Sequence, residues 1–371
     1  MIYLGCFAIS ALFAYFASKT ENKYRFYTFS AISIAVVVLL AGLRDATVGI
    51  DTGNYLTKNL YWDGAIKSAT FVDYFYEYIV SDYGEPLFAL IIGIIAQTTG
   101  DFNFFLIITH LMIITCVYIG AFRFKKYARP ELVLLVFYLF FFNHSLNVMR
   151  QYVAMALVFV FLPDLLEKKY IKFSIAVLVA SLFHTSALVA FGFLLLYIII
   201  YAPIKIGTPL NRKIAVSALL ACGVLGFYPL AKIAIKFGVI NKRYMFLFES
   251  SKIEPAVIII AIAVLGLAAA FYFRNKLKEM EYSDYFVMCS ICYAILLLLT
   301  FTVSSSKRIG LYFGMADLVT LGVIQKVQTE KKMKILVYLG IIGVALCYWV
   351  YVYALRNASG TLPYNLMEFN F

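Results

Sequence analysis

Charge is what this sequence has least of. Of its 371 residues only 14% are Asp, Glu, Lys or Arg, where an ordinary soluble domain carries about a quarter. With 63% apolar residues and a mean hydropathy of +0.88, that scarcity excludes a soluble globular domain, a disordered chain and a secreted disulfide scaffold. Cysteine is sparse too. Cys6, Cys116, Cys222, Cys289, Cys292 and Cys347 all lie in apolar stretches, so no disulfide framework is expected. Cys289 and Cys292 form a CxxC, but with no histidine nearby they read as small packing residues rather than a metal or redox pair. P-loop, HExxH, GxSxG and dinucleotide-binding signatures are absent, which removes support for nucleotide-driven transport, zinc proteolysis and serine hydrolysis. No internal repeat, low-complexity tract or linker is visible. The first apolar run lacks a basic n-region and a cleavage motif, so one integral membrane domain over 1–371 with no cleaved signal peptide is expected.

What the sequence has is apolar length. Twelve runs lie at 2–18, 26–42, 102–122, 131–142, 148–163, 171–183, 186–202, 214–230, 255–273, 285–303, 309–325 and 335–354, with a shorter stretch at 86–99. A hydrocarbon core about 30 Å thick takes about 20 residues per helix. The expected fold is all-α: a polytopic integral membrane protein of about 12–13 transmembrane helices with a re-entrant segment and an external loop.

The net charge of +12 marks loops on one side of a membrane rather than a nucleic-acid surface. Twenty of the 32 Lys and Arg residues fall in six short loops, at 19–25, 123–129, 168–172, 205–213, 274–278 and 326–334. Placing these loops in the cytoplasm puts both termini outside. Residues 86–99, which open on Pro86 and contain Gly93, then suit a re-entrant or interfacial helix that dips in and returns. The alternative, a full crossing, would strand the basic 123–129 loop outside or require an extra span. Residues 43–85 carry seven acids and three bases among many aromatics and form an external aromatic and acidic loop. Residues 231–254 mix Lys232, Lys236, Lys242 and Arg243 with Phe237, Tyr244, Phe246 and Phe248, as an external amphipathic segment at the interface or a solvated loop with aromatic anchors.

Polar residues at the edges of apolar helices are candidate functional groups because insertion makes them costly. On one helix Asn147, Arg150, Gln151 and Ala154 would share a stripe at i, i+3, i+4 and i+7, aiming a guanidinium and two amides into an external cavity. His184, in SLFHTSALV, falls on the same side; His110 lies mid-span without polar neighbours and reads as structural. Arg308 follows Ser304, Ser305, Ser306 and Lys307 at the outer end of a span. Arg44 and Asp45 end the second span, and the turn-forming run from Val48 through Asp51 to Tyr55 follows. Glu85 precedes Pro86. Arg44, Asp51, Glu85, Arg150, His184 and Arg308 thus map to one face.

Arginine's planar fork binds phosphate and pyrophosphate bidentately and stays charged when desolvated. A carboxylate or histidine accepts a proton from an attacking hydroxyl, and guanidinium groups stabilise the charge that builds on a departing pyrophosphate. GLRDATVGIDTGNY (42–55), GEPLF (84–88), NVMRQYVAMAL (147–157) followed by KKYIKF, SLFHTSALV (181–189) and LPYN (362–365) resemble, as an ordered set, the Wzy-type polysaccharide polymerases of the EpsG-like branch.

The resemblance implies a GT-C-like polymerase architecture in the bacterial cytoplasmic membrane. There a growing glycan passes from undecaprenyl pyrophosphate to a hydroxyl of an incoming lipid-linked repeat unit, at the outer face and without metal or cofactor. It assigns Arg44, Arg150 and Arg308 to pyrophosphate or glycan binding, with Asn147 and Gln151 beside them, and makes Asp51, Glu85 or His184 the candidate base. The lipid-linked oligosaccharide and the bilayer are the expected partners, with a flippase and a chain-length regulator compatible with them. An O-antigen ligase-like transferase and a lipid-linked oligosaccharide flippase are the alternatives, although a transporter spreads its charges along a path through the membrane. The sugar and its linkage are not encoded in any of these motifs.

Overall fold

In hydrocarbon a peptide group has no water to bond, so apolar runs of spanning length close their hydrogen bonds within helices. The computed structural model of the protein describes residues 2–58, 61–81, 85–201, 257–301 and 306–367. Among these residues there is no strand, only an isolated bridge between Arg44 and Leu366. The expected span at 214–230, the basic loop at 205–213, the segment at 231–254, Asp82, Ser304 and Ser305 lie outside the described residues.

The chain forms two compact units, Met1–Leu188 with Glu330–Phe371 and Val189–Thr329. The first unit opens with α1 (Ile2–Lys19) and α2 (Lys23–Gly42), a hairpin whose second helix is capped by the Asn22 side chain accepting from the Arg25 N–H. Three short helices follow outside the spans, α3 (Thr52–Thr57), α4 (Trp62–Lys67) and α5 (Phe71–Val80). Next come α6 (Pro86–Thr99) and α7 (Phe102–Arg123). The run that begins at α8 (Pro130–Phe137) widens into a π turn over Tyr138–Phe142 and ends in α9 (Asn143–Ser145). The unit continues through α10 (Met149–Leu166) and α11 (Tyr170–Ser181).

The second unit contains α12 (Phe191–Tyr201), α13 (Val257–Tyr272), α14 (Arg274–Leu277), α15 (Ser283–Leu298) and α16 (Ser306–Lys326). The chain then returns to the first unit as α17 (Lys331–Trp349), which ends in a π turn over Val350–Leu355.

Six of these segments are long and apolar enough to cross a membrane: α1, α2, α7, α10, α15 with its 3-10 end, and α17 with its π end. The other expected runs among the described residues fall on shorter apolar helices or on α16, whose Lys307, Arg308, Asp317 and Lys326 dilute its hydropathy. The result is a polytopic helical membrane protein.

Polar pairs tie the spans of the first unit together. Ser10 donates to the Ser33 carbonyl at 2.7 Å and lies 2.9 Å from the Tyr138 hydroxyl, while Tyr118 donates to Ser30. Such interhelical bonds contribute on average about 0.6 kcal/mol each in a membrane.

Its two ends differ sharply. At one, three basic residues of the short loops are tied to the protein: Arg123 and Lys172 both pair with the fully buried Asp164, at 2.5 and 2.9 Å, and Lys125 donates to the Ser18 carbonyl. A buried carboxylate is tolerated because cations surround it. At the other end lie the start of α1, the 43–58 loop, the α9–α10 junction and the C-terminal segment, which are hydrogen-bonded to one another as described below.

α6 has both its ends tied to this second region. Glu85, just before its first residue, pairs with Arg150. Near its C-terminus Gln97 donates to the Ala65 and Ser68 carbonyls at 2.5 and 3.2 Å. Gly100 (φ +63) turns the chain into α7, where Asn103 donates to the Gly42 and Arg44 carbonyls, both at 2.9 Å. With 14 residues α6 is about 21 Å long, short of the hydrocarbon thickness.

In the second unit α15 and α16 pack along each other. Ser290 donates to the Asp317 carboxylate and Thr320 to the Phe286 carbonyl at 3.0 Å. Cys289 and Cys292 are buried free thiols on α15, consistent with packing residues.

Candidate functional site

Proline at the first position of α6 has a fixed φ suited to a helix start and gives up an N–H that would be unbonded there. This places Glu85 at the helix N-terminus, where the positive end of the macrodipole favours a carboxylate. Glu85 is only 4% exposed. One of its oxygens pairs with Arg150 Nη1, and the other lies 3.7 Å from His184 Nε2. The chain around His184 is brought in by a backbone bond from Leu87 N to the Leu182 carbonyl, 3.1 Å.

Arg150 is the second residue of α10. Its guanidinium stands over the rings of Tyr61 and Tyr55, 5.2 and 6.0 Å from their centroids, and its Nε donates to the Tyr55 hydroxyl at 3.4 Å. Its side chain stays about a fifth exposed, at 21%, so this cation is held by a carboxylate and two aromatic faces yet keeps an open side. Burial pushes the Tyr55 phenol up, with Arg150 opposing, so the ring beside the guanidinium is neutral. Tyr78 of α5 lies within electrostatic reach of both Arg150 and Glu85, and burial pushes its phenol up as well.

The orientation of His184 follows from its neighbours. Its Nδ1 accepts the Ser186 backbone N–H at 3.2 Å and lies 2.7 Å from the Ser186 hydroxyl. A ring nitrogen that accepts a backbone N–H carries no proton, so the neutral ring holds its proton on Nε2, the atom facing Glu85. Glu85 is therefore a carboxylate between a guanidinium and an imidazole N–H.

Asp51 precedes the first residue of α3 without a capping bond from its side chain and is partly exposed. Its carboxylate accepts from Asn54 Nδ2 at 3.2 Å, and its backbone N–H donates to Asn147 Oδ1 at 3.0 Å. Asn147 in turn donates to the Ser359 carbonyl. The helix is interrupted here, with Val148 at φ −94, ψ 50 ahead of α10. The expected continuous stripe is thus corrected: Asn147 sits in a break between α9 and α10 rather than one turn below Arg150 on the same helix. The break exists because two distant groups hold it open, Ser359 through Asn147 and Arg44 through the Leu146 carbonyl. Gln151 is fully buried in α10 and Ala154 with it.

Arg44 differs most from expectation. Its side chain is 0% exposed, donating to the Ala41 carbonyl, to the Leu146 carbonyl at 3.0 Å and toward the Met149 sulfur at 3.8 Å. Ala41 and Leu146 lie at the C-terminal ends of α2 and α9, where helix carbonyls lack intrahelical partners. Burial pushes the guanidinium down to about 10, with Tyr3 and Tyr364 opposing. Arg44 is thus spent on two helix ends, not open to a ligand. His110 is buried with its Nδ1 at 2.9 Å from the Leu106 carbonyl. Arg308 is exposed near the start of α16, in the second unit.

The structure therefore brings together Glu85, Arg150, His184, Asn147 and the Asp51 turn within the first unit. Sequence reasoning missed Tyr55, Tyr61 and Tyr78 as the aromatic surroundings of Arg150. The aromatic richness of the 43–85 loop was the signal, but nothing in it says which rings face the guanidinium. Ser186, which orients His184 from the 3-10 turn Thr185–Ala190, carries no sequence signal of its own.

A guanidinium with an open side, a buried carboxylate and an oriented imidazole can bind a phosphate and move a proton. Among the described residues no group of three or more His, Cys, Asp and Glu side chains is placed to hold a metal ion. Neither the curated proteins nor the solved structures contain a match to this chain. The match is at the level of a family, and it points to a polysaccharide polymerase of glycosyltransferase type. Aligned with the model described as the EpsG family over residues 6–366, nearly its whole length, the chain belongs to that family.

Proposed function

We propose that the protein extends a polysaccharide by moving the growing glycan from undecaprenyl pyrophosphate to a hydroxyl of an incoming lipid-linked repeat unit, at the outer face of the cytoplasmic membrane. In the transfer the acceptor oxygen bonds to the anomeric carbon and the bond from that carbon to the pyrophosphate oxygen breaks. The electron pair leaves on undecaprenyl pyrophosphate and the hydroxyl proton passes to a base. The observation that carries this reading is the Glu85–Arg150–His184 constellation with its tyrosine surroundings, in a chain of a polymerase family.

Arg150 supplies the pyrophosphate contact. Its charge is balanced by Glu85 until the anionic donor arrives, and a desolvated guanidinium fork stabilises the leaving group more as its charge grows. Proton acceptance falls to Glu85, His184 or Asp51. With its Nε2 protonated His184 is a donor in the resting site, so it accepts a proton only once its contacts rearrange. The resemblance also makes Arg308, on the second unit, a phosphate or glycan contact, and Arg44 acts by holding the Leu146 carbonyl at the break ahead of α10. A depression of about 440 Å³ beside α3 and α4, lined by Leu56, Thr57, Trp62, Asp63 and Ile66, offers apolar, hydroxyl and carboxylate groups to a sugar.

Purified protein reconstituted with a lipid-linked repeat unit should produce a ladder of longer lipid-linked products. Failure to form a ladder while the substrate crosses the bilayer would overturn the polymerase reading in favour of transport, and transfer to an unrelated acceptor without a ladder would favour a ligase.

A further inference from the structure

After the last helix the chain folds back over the site instead of trailing away. Asn357 closes the turn, donating from Nδ2 to the Leu362 carbonyl at 2.5 Å and accepting the Leu362 N–H at 3.1 Å. The segment beyond is tied down at every stage. The Thr361 carbonyl accepts from the Tyr3 hydroxyl at 3.0 Å, and Thr361 Oγ1 accepts from Asn143 at 2.8 Å. Asp45 N donates to the Asn365 carbonyl at 3.0 Å, and Met367 N donates to the Leu43 carbonyl at 2.9 Å. Ser359 and Thr361 are buried, at 4% and 0% exposure.

Its contacts converge on the turn that carries Asp51. Gly49 N donates to the Gly360 carbonyl at 2.8 Å, and the Ser359 carbonyl accepts both Ile50 N at 3.2 Å and Asn147 Nδ2 at 2.9 Å. The other end of the Asn147 amide accepts Asp51 N at 3.0 Å. One side chain thus links the C-terminal segment, the Asp51 turn and the break three residues ahead of Arg150. The fit is tight: a Cβ at Gly49 (φ +103) would lie 2.8 Å from Asn147 Oδ1, and one at Gly360 (φ +61) would lie 2.8 Å from the Ile50 side chain. Both glycines occupy backbone conformations that other residues adopt only at a cost.

We propose that the segment 357–367 is a positioning element of the transfer site. Asn147 is its coupling residue, setting the Asp51 turn and the start of α10 in one register. The inference rests on the polymerase reading above. It makes Asn147 a positioning residue rather than a ligand contact, since both polar atoms of its amide are engaged by backbone.

The test uses full-length Asn147→Asp and Gly360→Ala proteins in the reconstituted ladder assay. The aspartate keeps an acceptor for Asp51 N but loses the donor to Ser359. The alanine pushes the segment away from Ile50 without altering any group near Arg150. Misplacing reacting groups by about 1 Å can cost about 10²-fold in rate. The expected result is a fall of that order in the extension rate per folded protein at saturating donor, with the affinity for undecaprenyl pyrophosphate unchanged, while the left-handed backbone at Gly360 and the buried position of Asn147 lower the thermal midpoint.

Extension at the wild-type rate in both variants overturns the inference. So does a loss of donor affinity or of folded protein that accounts for the whole rate loss, since the segment would then be merely structural. If Asn147→Asp does not accumulate in the membrane, Gly360→Ala gives the answer. A wild-type protein that forms no ladder sinks the polymerase reading first and this inference with it, so the two failures are distinguishable.

Discussion

Arg150 and Glu85 meet across 65 residues of sequence, the one at the start of α10 and the other just ahead of α6, and each is the other's ion-pair partner inside a largely buried site. Removing one member of such a pair leaves a buried charge uncompensated, which costs about 3–5 kcal/mol. Glu85→Ala is therefore expected to lower the thermal midpoint and reduce the amount of folded protein. Arg150→Lys keeps the charge but loses the fork and the Tyr55 hydrogen bond, so it is expected to fold while extension falls by about 10²-fold or more. Near-normal polymerisation by Arg150→Lys in the reconstituted assay would remove Arg150 from the pyrophosphate contact.

Arg44 gives the opposite expectation. Its Nη1 and Nη2 donate to the Ala41 and Leu146 carbonyls, its Nε–H is buried without a partner, and no part of the side chain reaches solvent. Each buried carbonyl left unbonded costs about 1–3 kcal/mol. Arg44→Gln should therefore lose stability, seen as a lower midpoint in a detergent melt, with any loss of extension following the loss of folded protein. A variant that melts normally but no longer binds undecaprenyl pyrophosphate would return Arg44 to the role of a direct contact.

The spans and the face that gathers Glu85, Arg150, His184 and the Asp51 turn were legible because apolar runs and basic loops are local signals. The break at 146–148 was not. Asn147, Arg150 and Gln151 have ideal helical spacing, and long-range hydrogen bonds from Arg44 and Asp51 and to Ser359, 102, 96 and 212 residues away, hold the chain out of it. Arg44 itself misled for the same reason. A guanidinium beside a span reads as a ligand contact, and what consumes it is a pair of helix ends that meet only after folding. Tyr55 and Tyr61 were visible as aromatics, but a ring's partner is a tertiary fact.

Asp317 is the polar residue that the apolar run at 309–325 concealed. In α16 its carboxylate accepts from Ser290 of α15, whose hydroxyl also lies 3.3 Å from the Phe286 carbonyl. As an interhelical bond it should contribute on the order of 0.6 kcal/mol. Asp317→Asn, which keeps an acceptor oxygen, is expected to shift the midpoint little and leave extension intact, whereas Asp317→Lys brings a cation with no acceptor role against the Ser290 hydroxyl and should prevent accumulation. If Asp317→Asn folds normally but cannot extend glycan, the carboxylate does more than join two helices.

The course of α6 sets the last prediction. Its start is held by Glu85 to Arg150, while its end is held by Gln97 to Ala65 and, through the Gly100 turn, by Asn103 to Arg44. A helix about 21 Å long with both ends bound to the same region has no end left for the opposite face. In a background with the six native cysteines replaced, Thr98→Cys, exposed in the last turn of α6, should react from outside with a membrane-impermeant maleimide as readily as Ile50→Cys. Lys126→Cys, in the basic loop after α7, should react only after permeabilisation. If Thr98→Cys is protected while Ile50→Cys reacts, α6 crosses fully and the re-entrant path is wrong. If Lys126→Cys reacts from outside, the orientation of the whole first unit is inverted.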